Sequence, residues 1–129
     1  MMKRQNIPSG SKFEKQIGFS RACRVGNFIS VAGTAPIDAE GRTVSPGNVY
    51  EHTSRCLAIM LKAIQEAGAT ADSVIRTRIM LTDISRWKEA AQAHGELFAD
   101  IRPACTFVQV SGFISPEWLV ETEADCIIE

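Results

Sequence analysis

Three acidic residues near the C-terminus have the spacing of one strand face. Glu121, Glu123 and Asp125 alternate with Thr122 and Ala124 in a stretch typical of a β-strand. Because strand side chains alternate between the two faces of a sheet, all three carboxylates are expected to point the same way. Like charges on one face repel each other, so this face should meet solvent, a subunit interface or a reaction site. A carboxylate in such a site can hold and deprotonate a water molecule.

Other reactive residue types lack the spacing of established sites. The four cysteines are Cys23, Cys56, Cys105 and Cys126. They form no Cys-x-x-Cys pair, and we expect four small buried thiols without disulfides. The two histidines, His52 and His94, lie far apart with no pattern for a metal site or a catalytic triad. With no glycine-rich phosphate loop either, the sequence predicts neither a metal nor a cofactor.

Composition limits the class of protein. The chain has 129 residues, enough for one domain with its own core. Its 14 basic and 15 acidic residues give a net charge of −1, which argues against a nucleic-acid partner and a membrane partner. Residues 1–12 are polar and contain no apolar run typical of a signal peptide, so we expect a cytoplasmic protein.

The elements that must position these residues follow the order β-β-α-β-α-β-β. Residues 1–12 are expected to form a flexible arm before a single domain at residues 13–129. The predicted strands cover residues 13–24, 28–35, 73–81, 105–111 and 119–128. Asn48 should cap the first helix in a capping box with Glu51, and Gly68 should end it. Ser85 should cap a second helix that runs to about Phe98.

This order fits an α+β sandwich with both helices on one face of the sheet. The other face would be uncovered in a single chain, and it would carry mixed apolar and charged residues. Such a face favours assembly with further copies of the chain.

Several segments together resemble the YjgF/Rid family, also labelled the endoribonuclease L-PSP family. The matching segments are residues 17–20 (IGFS), 25–36 (VGNFISVAGTAP), 102–104 (RPA), 108–110 (VQV) and 119–124 (LVETEA). The resemblance spans residues 13–128. It implies a chorismate-mutase-like, ferredoxin-like sandwich whose mixed sheets form a barrel in a homotrimer, with clefts between subunits that bind a small metabolite. It further implies cofactor-free hydrolysis of reactive imines or enamines in the deaminase branch, ligand binding without catalysis in other members, and, third, an endoribonuclease.

The resemblance also implies roles for single residues. Glu121 matches the acidic residue that orients the attacking water, although a strand Glu in an ion pair is an equally good interpretation. Gly33 matches a glycine whose backbone faces the ligand; a strand end or bulge is the alternative. Trp118 is expected to line the cleft or to cover a subunit seam. Phe19 stands where the family often has Tyr, and a polar helix residue of the family falls near Ala91.

The largest departure lies after Arg102-Pro103-Ala104. The deaminase branch has an arginine there that binds the substrate carboxylate, whereas this chain has Cys105 followed by Thr106. A thiol supplies no charge and only a weak donor, so standard 2-imino-acid deamination is not expected. Five other arginines are candidate replacements for this charge, and for each a solvated surface role is the simpler interpretation. They are Arg21, Arg24, Arg76, Arg78 and Arg102.

Overall fold

A computed structural model describes residues 3–129. Within that range the chain forms six strands and three α-helices. In chain order these are β1 (Arg4–Ile7), α1 (Glu14–Ile17), β2 (Ala22–Val25), β3 (Phe28–Thr34), α2 (Val49–Glu66), β4 (Val74–Leu81), α3 (Trp87–Phe98), β5 (Ala104–Gln109) and β6 (Val120–Ile127). The strands form one mixed sheet, which confirms the predicted α+β class.

The sheet has the order β1-β2-β3-β6-β4-β5. Only β4 and β5 pair in parallel, and the other neighbours are antiparallel. The last strand in sequence, β6, therefore lies in the middle, between β3 and β4. The first strand and β5 form the two edges, so residues on these two strands are separated by the width of the sheet.

The alternation of β6 separates a covered face from an open face. Val120, Ala124 and Cys126 are buried under α2 and α3, together with Thr122. Large side chains such as Met60 and Ile64 of α2 fill this core, and burying each contributes about 1.5–3 kcal/mol. Glu121, Glu123 and Asp125 lie on the opposite face, as their spacing predicted.

The open face is mixed in character, again as predicted. Phe28 and Ile127 are paired across β3 and β6 and remain 46% and 44% exposed. Beside them Glu123 forms an ion pair with Arg78, and Ser30 donates a hydrogen bond to Asp125 at 2.7 Å. Two of the three acids are thus occupied by structural partners, which leaves Glu121 distinct.

Helix α2 begins and ends as the sequence predicted. The Oδ1 atom of Asn48 accepts a hydrogen bond from the Glu51 backbone N–H at 2.9 Å, and Gly68 adopts a φ of +92° just beyond the helix. The start of α3 was predicted wrongly. The Asp83 carboxylate, rather than Ser85, accepts the capping bond, and residues 84–86 form a 3₁₀ turn before the helix.

The N-terminal region also differs from the prediction. Residues 4–7 do not belong to a flexible arm: they form β1, pair with β2, and bury Ile7 to 4% exposure. The expected strand over residues 13–24 is divided into α1 and β2, with Gly18 at φ +86° between them. Local pattern could not reveal β1, because its pairing partner lies about fifteen or more residues along the chain.

Candidate functional site

The Glu121 carboxylate lies against the backbone of a β-bulge. The register between β3 and β6 shifts between Val31 and Thr34, and Gly33 lies within this irregular segment. A Cβ built on Gly33 would stand 2.9 Å from Oε1 of Glu121. The absence of a side chain at position 33 therefore gives the carboxylate its position, and the bulge interpretation of Gly33 is confirmed.

Arg21 completes this group of residues from the other side of the bulge. Its Nη1 atom donates to the carbonyl oxygen of Gly33 at 3.1 Å and to Oγ1 of Thr34 at 3.2 Å. The simpler expectation for Arg21, a solvated surface residue, is wrong, since the side chain is only partly exposed and is tied to β3. The sequence contained no sign of this contact, because Arg21 meets Gly33 only after the strands pair.

The two charges influence one another. Burial raises the pKa of the Glu121 carboxyl, the positive charge of Arg21 opposes this rise, and the negative charge of Glu123 adds to it. Burial also lowers the pKa of Arg21, and the negative charge of Glu121 opposes that change. A carboxyl with a raised pKa is a stronger base once ionised, which suits it to take a proton from water near neutral pH.

Cys56 lies behind this group, in the covered layer. Its thiol donates a weak hydrogen bond to the Val120 carbonyl at 3.7 Å, and its side chain is fully buried. Burial and the nearby charge of Glu121 raise the pKa of this thiol well above its ordinary value. Cys56 is therefore a neutral packing group and not a nucleophile.

Cys105 and Thr106 lie on the edge strand β5, away from Glu121 in the same chain. Cys105 pairs with Thr77 in register, and Thr106 pairs with Arg78, so their side chains lie on opposite faces of the sheet. The expectation that Cys105 is buried is wrong: its side chain is exposed, because β5 forms an edge of the sheet. Partial burial raises the pKa of its thiol, while Thr77 lowers it.

Phe19 belongs to a separate groove. It lines a cavity of about 390 Å³ near β1 and α1, together with residues such as Asn6, Lys15 and Cys23. Glu121 does not line this cavity. Phe19 and the β5 residues lie toward opposite edges of the sheet, so a single chain does not bring them together.

Trp118 lies in the loop that leads into β6. Its backbone N–H donates to the Ser115 carbonyl at 3.2 Å, and the residue is partly buried. It precedes Glu121 by three positions, which places it at the same end of β6 as the carboxylate.

The loop before β6 is held by a buried histidine that the sequence did not single out for a role. The Nδ1 atom of His52 accepts from the Leu119 backbone N–H at 3.3 Å, so Nε2 carries the proton and donates to the Val44 carbonyl at 2.8 Å. Burial lowers the pKa of His52, which favours this neutral form. The feature of the sequence that indicates this role is a polar residue within the apolar stripe of α2.

The other arginines have different surroundings. Arg24 donates to the carbonyl oxygens of Gly26 at 2.8 Å and Ala67 at 2.7 Å, so it supports the structure and is not a solvated residue. Arg78 is paired with Glu123. Arg76 is exposed at a shallow cavity of the open face, and Arg102 lies before β5 with a φ of +54°. None of these four hydrogen-bonds to Gly33.

Two classes of feature are not found in the described part of the chain. Across residues 3–129, no group of three or more His, Cys, Asp or Glu side chains comes together to hold a metal ion. In the same range, no helix has both the length and the apolar character that crossing a membrane requires.

Comparisons with known proteins agree with this architecture. The sequence model of the family described as Endoribonuclease L-PSP matches residues 10–128. A RutC family protein of Pyrococcus abyssi is 35% identical over 114 residues, which is 88% of this chain and 89% of that protein. An uncharacterised protein of Streptomyces coelicolor is 36% identical over 121 residues, covering 94% of this chain and 90% of that protein.

A solved structure is also closely similar. The crystal structure of a member of the YjgF/YER057c/UK114 family from Mycobacterium tuberculosis superposes with a TM-score of 0.87 at 40% sequence identity. The superposition covers 98% of this chain and all of that one. The similarity therefore extends over the sheet, both long helices and the segment that carries Glu121.

Proposed function

The chain belongs to the Endoribonuclease L-PSP family, also called the YjgF/Rid family, and we propose that it is a homotrimer whose inter-subunit clefts bind and hydrolyse a small polar metabolite. The substrate in this proposal is an imine or enamine-type compound. The observation that carries it is the half-buried Glu121, held at the Gly33 bulge with a raised pKa.

The chemistry needs no group beyond water and the carboxylate. Glu121 removes a proton from water as the water oxygen bonds to the carbon of a protonated imine, and the C=N π electrons move to nitrogen to give a neutral carbinolamine. Glu121 then returns this proton to the amino nitrogen, the C–N bond breaks to release ammonia, and the hydroxyl group gives its proton to the carboxylate as the carbonyl forms. One protonated imine and one water give one carbonyl compound, one ammonia and one proton, with no oxidant or reductant.

The position of the other candidate residues supports an inter-subunit cleft. Phe19 near β1 and Thr106 on β5 lie toward opposite edges of the sheet, so contact between such residues requires a second copy of the chain. The open face, with exposed Phe28 and Ile127, offers apolar surface for that contact. Trimerisation would place the β5 edge of one subunit beside the Glu121 region of another.

Cys105 argues against simple 2-imino carboxylates that are bound through β5, as in the deaminase branch. It provides no positive charge at the position where the deaminase branch of the family places arginine. The same observation favours a second candidate function, which is ligand binding or regulation without turnover. Phe19 and Ala91 also favour it, because each stands where the family has a polar side chain.

Ammonia release separates the two candidates. Freshly generated imines of several side chains and charges are mixed with the purified protein, and the rate of ammonia formation is compared with that of the buffer alone. Acceleration of any imine, abolished in Glu121→Ala, supports hydrolysis. No acceleration of any imine would leave the ligand-binding function.

A further inference from the structure

We propose that Arg21 is the anion-binding residue of the Glu121 site, and that the ligand of this site carries a carboxylate that Arg21 holds. This inference rests on the proposed function for the location of the ligand, but not on turnover. It extends that function by naming the part of the ligand that the protein recognises and the residue that recognises it, at a position other than Cys105.

The guanidinium of Arg21 uses one of its nitrogen atoms to bind β3 and leaves the other two for a ligand. Nη1 is used in the bonds to Gly33 and Thr34, which fix the guanidinium plane against β3. Nε and Nη2 make no hydrogen bond to any residue within 3–129, and no acidic side chain in that range lies within 4.0 Å of the guanidinium. Nε and Nη2 are the parallel pair of donors that matches the two oxygens of a carboxylate.

The surroundings of Arg21 favour an anionic partner over solvent. The side chain is partly buried, and desolvation is the largest influence on its ionisation. A guanidinium keeps its charge in such surroundings, so the partly desolvated cation attracts an anion more strongly than a surface arginine does. Glu121 balances part of this charge without forming a close ion pair.

Geometry connects the anion site to the reacting group through one residue. The carbonyl of Gly33 accepts from Arg21, and the Cα of Gly33 faces the Glu121 carboxylate. A ligand whose carboxylate binds Nε and Nη2 therefore has its remaining atoms beside the same bulge as Glu121. Neither Arg24, whose Nε and Nη1 atoms donate to carbonyl oxygens, nor Arg78, paired with Glu123, offers this combination.

Two acid–amide pairs test the inference in the full-length protein. Binding of pyruvate is compared with that of pyruvamide, and binding of succinate with that of succinamide, by ligand-observed NMR titration. We expect the wild type to bind at least one acid about tenfold or more tightly than its amide, since a bidentate charged pair is lost in the amide. Arg21→Gln should remove this preference, and Arg76→Gln, which alters an exposed arginine of the open face, should keep it.

Further variants exclude a merely structural role for Arg21. Arg21→Lys keeps a positive charge but not the paired donors, so its preference for the acid should fall by about tenfold even if Arg21→Gln does not fold. Glu121→Gln should strengthen binding of the acid because it removes a neighbouring negative charge. The inference is wrong if the wild type shows no preference for either acid, or if folded Arg21→Gln or Arg21→Lys retains the wild-type preference.

The same experiments separate this inference from the proposed hydrolysis. Acid binding that depends on Arg21 without acceleration of any imine would retain the anion site and reject the catalytic function. Imine hydrolysis that depends on Glu121, together with an acid–amide preference that is unchanged in Arg21→Gln, would retain the catalytic function and reject the anion site.

Discussion

The carboxylate of Glu121 occupies the space where a side chain at Gly33 would begin: a Cβ there would stand 2.9 Å from Oε1. Two residues from distant parts of the sequence thus determine one position. Gly33 has no positive φ, so its role is to leave room for the carboxylate and not to relieve backbone strain. The position of the carboxylate and the stability of the fold can therefore be altered separately.

Gly33→Ala tests this separation. The added methyl group should displace the end of the Glu121 side chain, which is flexible, and leave the bulge in place. We expect the free energy of unfolding to change by less than about 1 kcal/mol, whereas imine hydrolysis should fall by about tenfold to a hundredfold because the carboxylate moves. Chemical denaturation and ammonia release measure the two effects. Equal hydrolysis by Gly33→Ala and the wild type would contradict the role assigned to this contact.

The pH dependence of hydrolysis should report the raised pKa of Glu121. The carboxylate acts as a base only when ionised, so the rate should fall as the pH decreases through this pKa. Because burial raises the pKa, the fall should begin at a higher pH than it would for an ordinary glutamate. Initial rates across the acidic range measure this limb; a limb at or below the ordinary glutamate range would contradict it.

The same raised pKa predicts a change in stability. A carboxyl whose pKa is higher in the folded than in the unfolded state favours folding when protonated; that contribution is lost as the pH rises through the folded value. Glu121→Gln should therefore have a higher melting temperature than the wild type at about pH 7, and the difference should vanish toward about pH 4. A lower melting temperature for Glu121→Gln at neutral pH would show that the attraction of Arg21 exceeds the cost of burial.

The two histidines should make stability fall in mild acid. Burial lowers the pKa values of His52 and His94, so the unfolded chain binds protons that the folded chain does not. The stability that the neutral histidines contribute is fully present above the unfolded histidine pKa of about 6.5, and it decreases as the pH falls below that value. His52→Gln should lower stability at neutral pH, by about 1–3 kcal/mol, and flatten this dependence, because the bonds to Val44 and Leu119 are lost. An unchanged pH dependence would contradict the assignment.

Assembly can be tested through the open face. Phe28→Asp places a charge among the exposed apolar residues of β3 and β6, and it should weaken the proposed trimer. Ala58→Asp alters an exposed position of α2, in the helical layer, and should leave assembly unchanged. Light scattering at micromolar concentration measures both. A monomeric wild-type protein would contradict the trimer and the inter-subunit cleft.

Cys105→Arg tests the importance of the departure on β5. Cys105 is exposed, so a longer side chain fits at this position without entering the core. If the missing charge is what limits the substrate range, this variant should accelerate hydrolysis of 2-imino carboxylates relative to the wild type. If the variant folds as a trimer and still does not accelerate hydrolysis of 2-imino carboxylates, another group, such as Phe19 in place of a tyrosine, matters more.

The features that depend on local spacing could be predicted from the sequence. The three acids of β6, the Asn48 cap and the Gly68 helix end each depend on neighbours within a few residues, and the structure confirms them. Strand β1 depends on pairing with a distant strand, which local propensity does not encode. Local propensity therefore predicts a flexible arm where residues 4–7 pair with β2.

The candidate site was only half predictable for the same reason. A resemblance between motifs indicates Glu121 and Gly33, but their contact follows from the register of β3 on β6. Arg21 has an ordinary position in the sequence and becomes part of the site only because β2 pairs beside the bulge. Cys105 was expected to be buried because its neighbours are small or apolar; it is exposed because β5 ends the sheet.

The most direct test of the central claim compares two glutamates on the same face of β6. Ammonia release from an accelerated imine is measured for the wild type, Glu121→Gln and Glu123→Gln, with light scattering to verify equal assembly. We predict that Glu121→Gln loses about a hundredfold or more of the acceleration. Glu123→Gln removes the ion pair with Arg78 and a negative charge near Glu121 but keeps the base itself, so it should retain most of the acceleration. Equal rates for the wild type and Glu121→Gln, or equal losses in both variants, would contradict the assignment of Glu121 as the catalytic base.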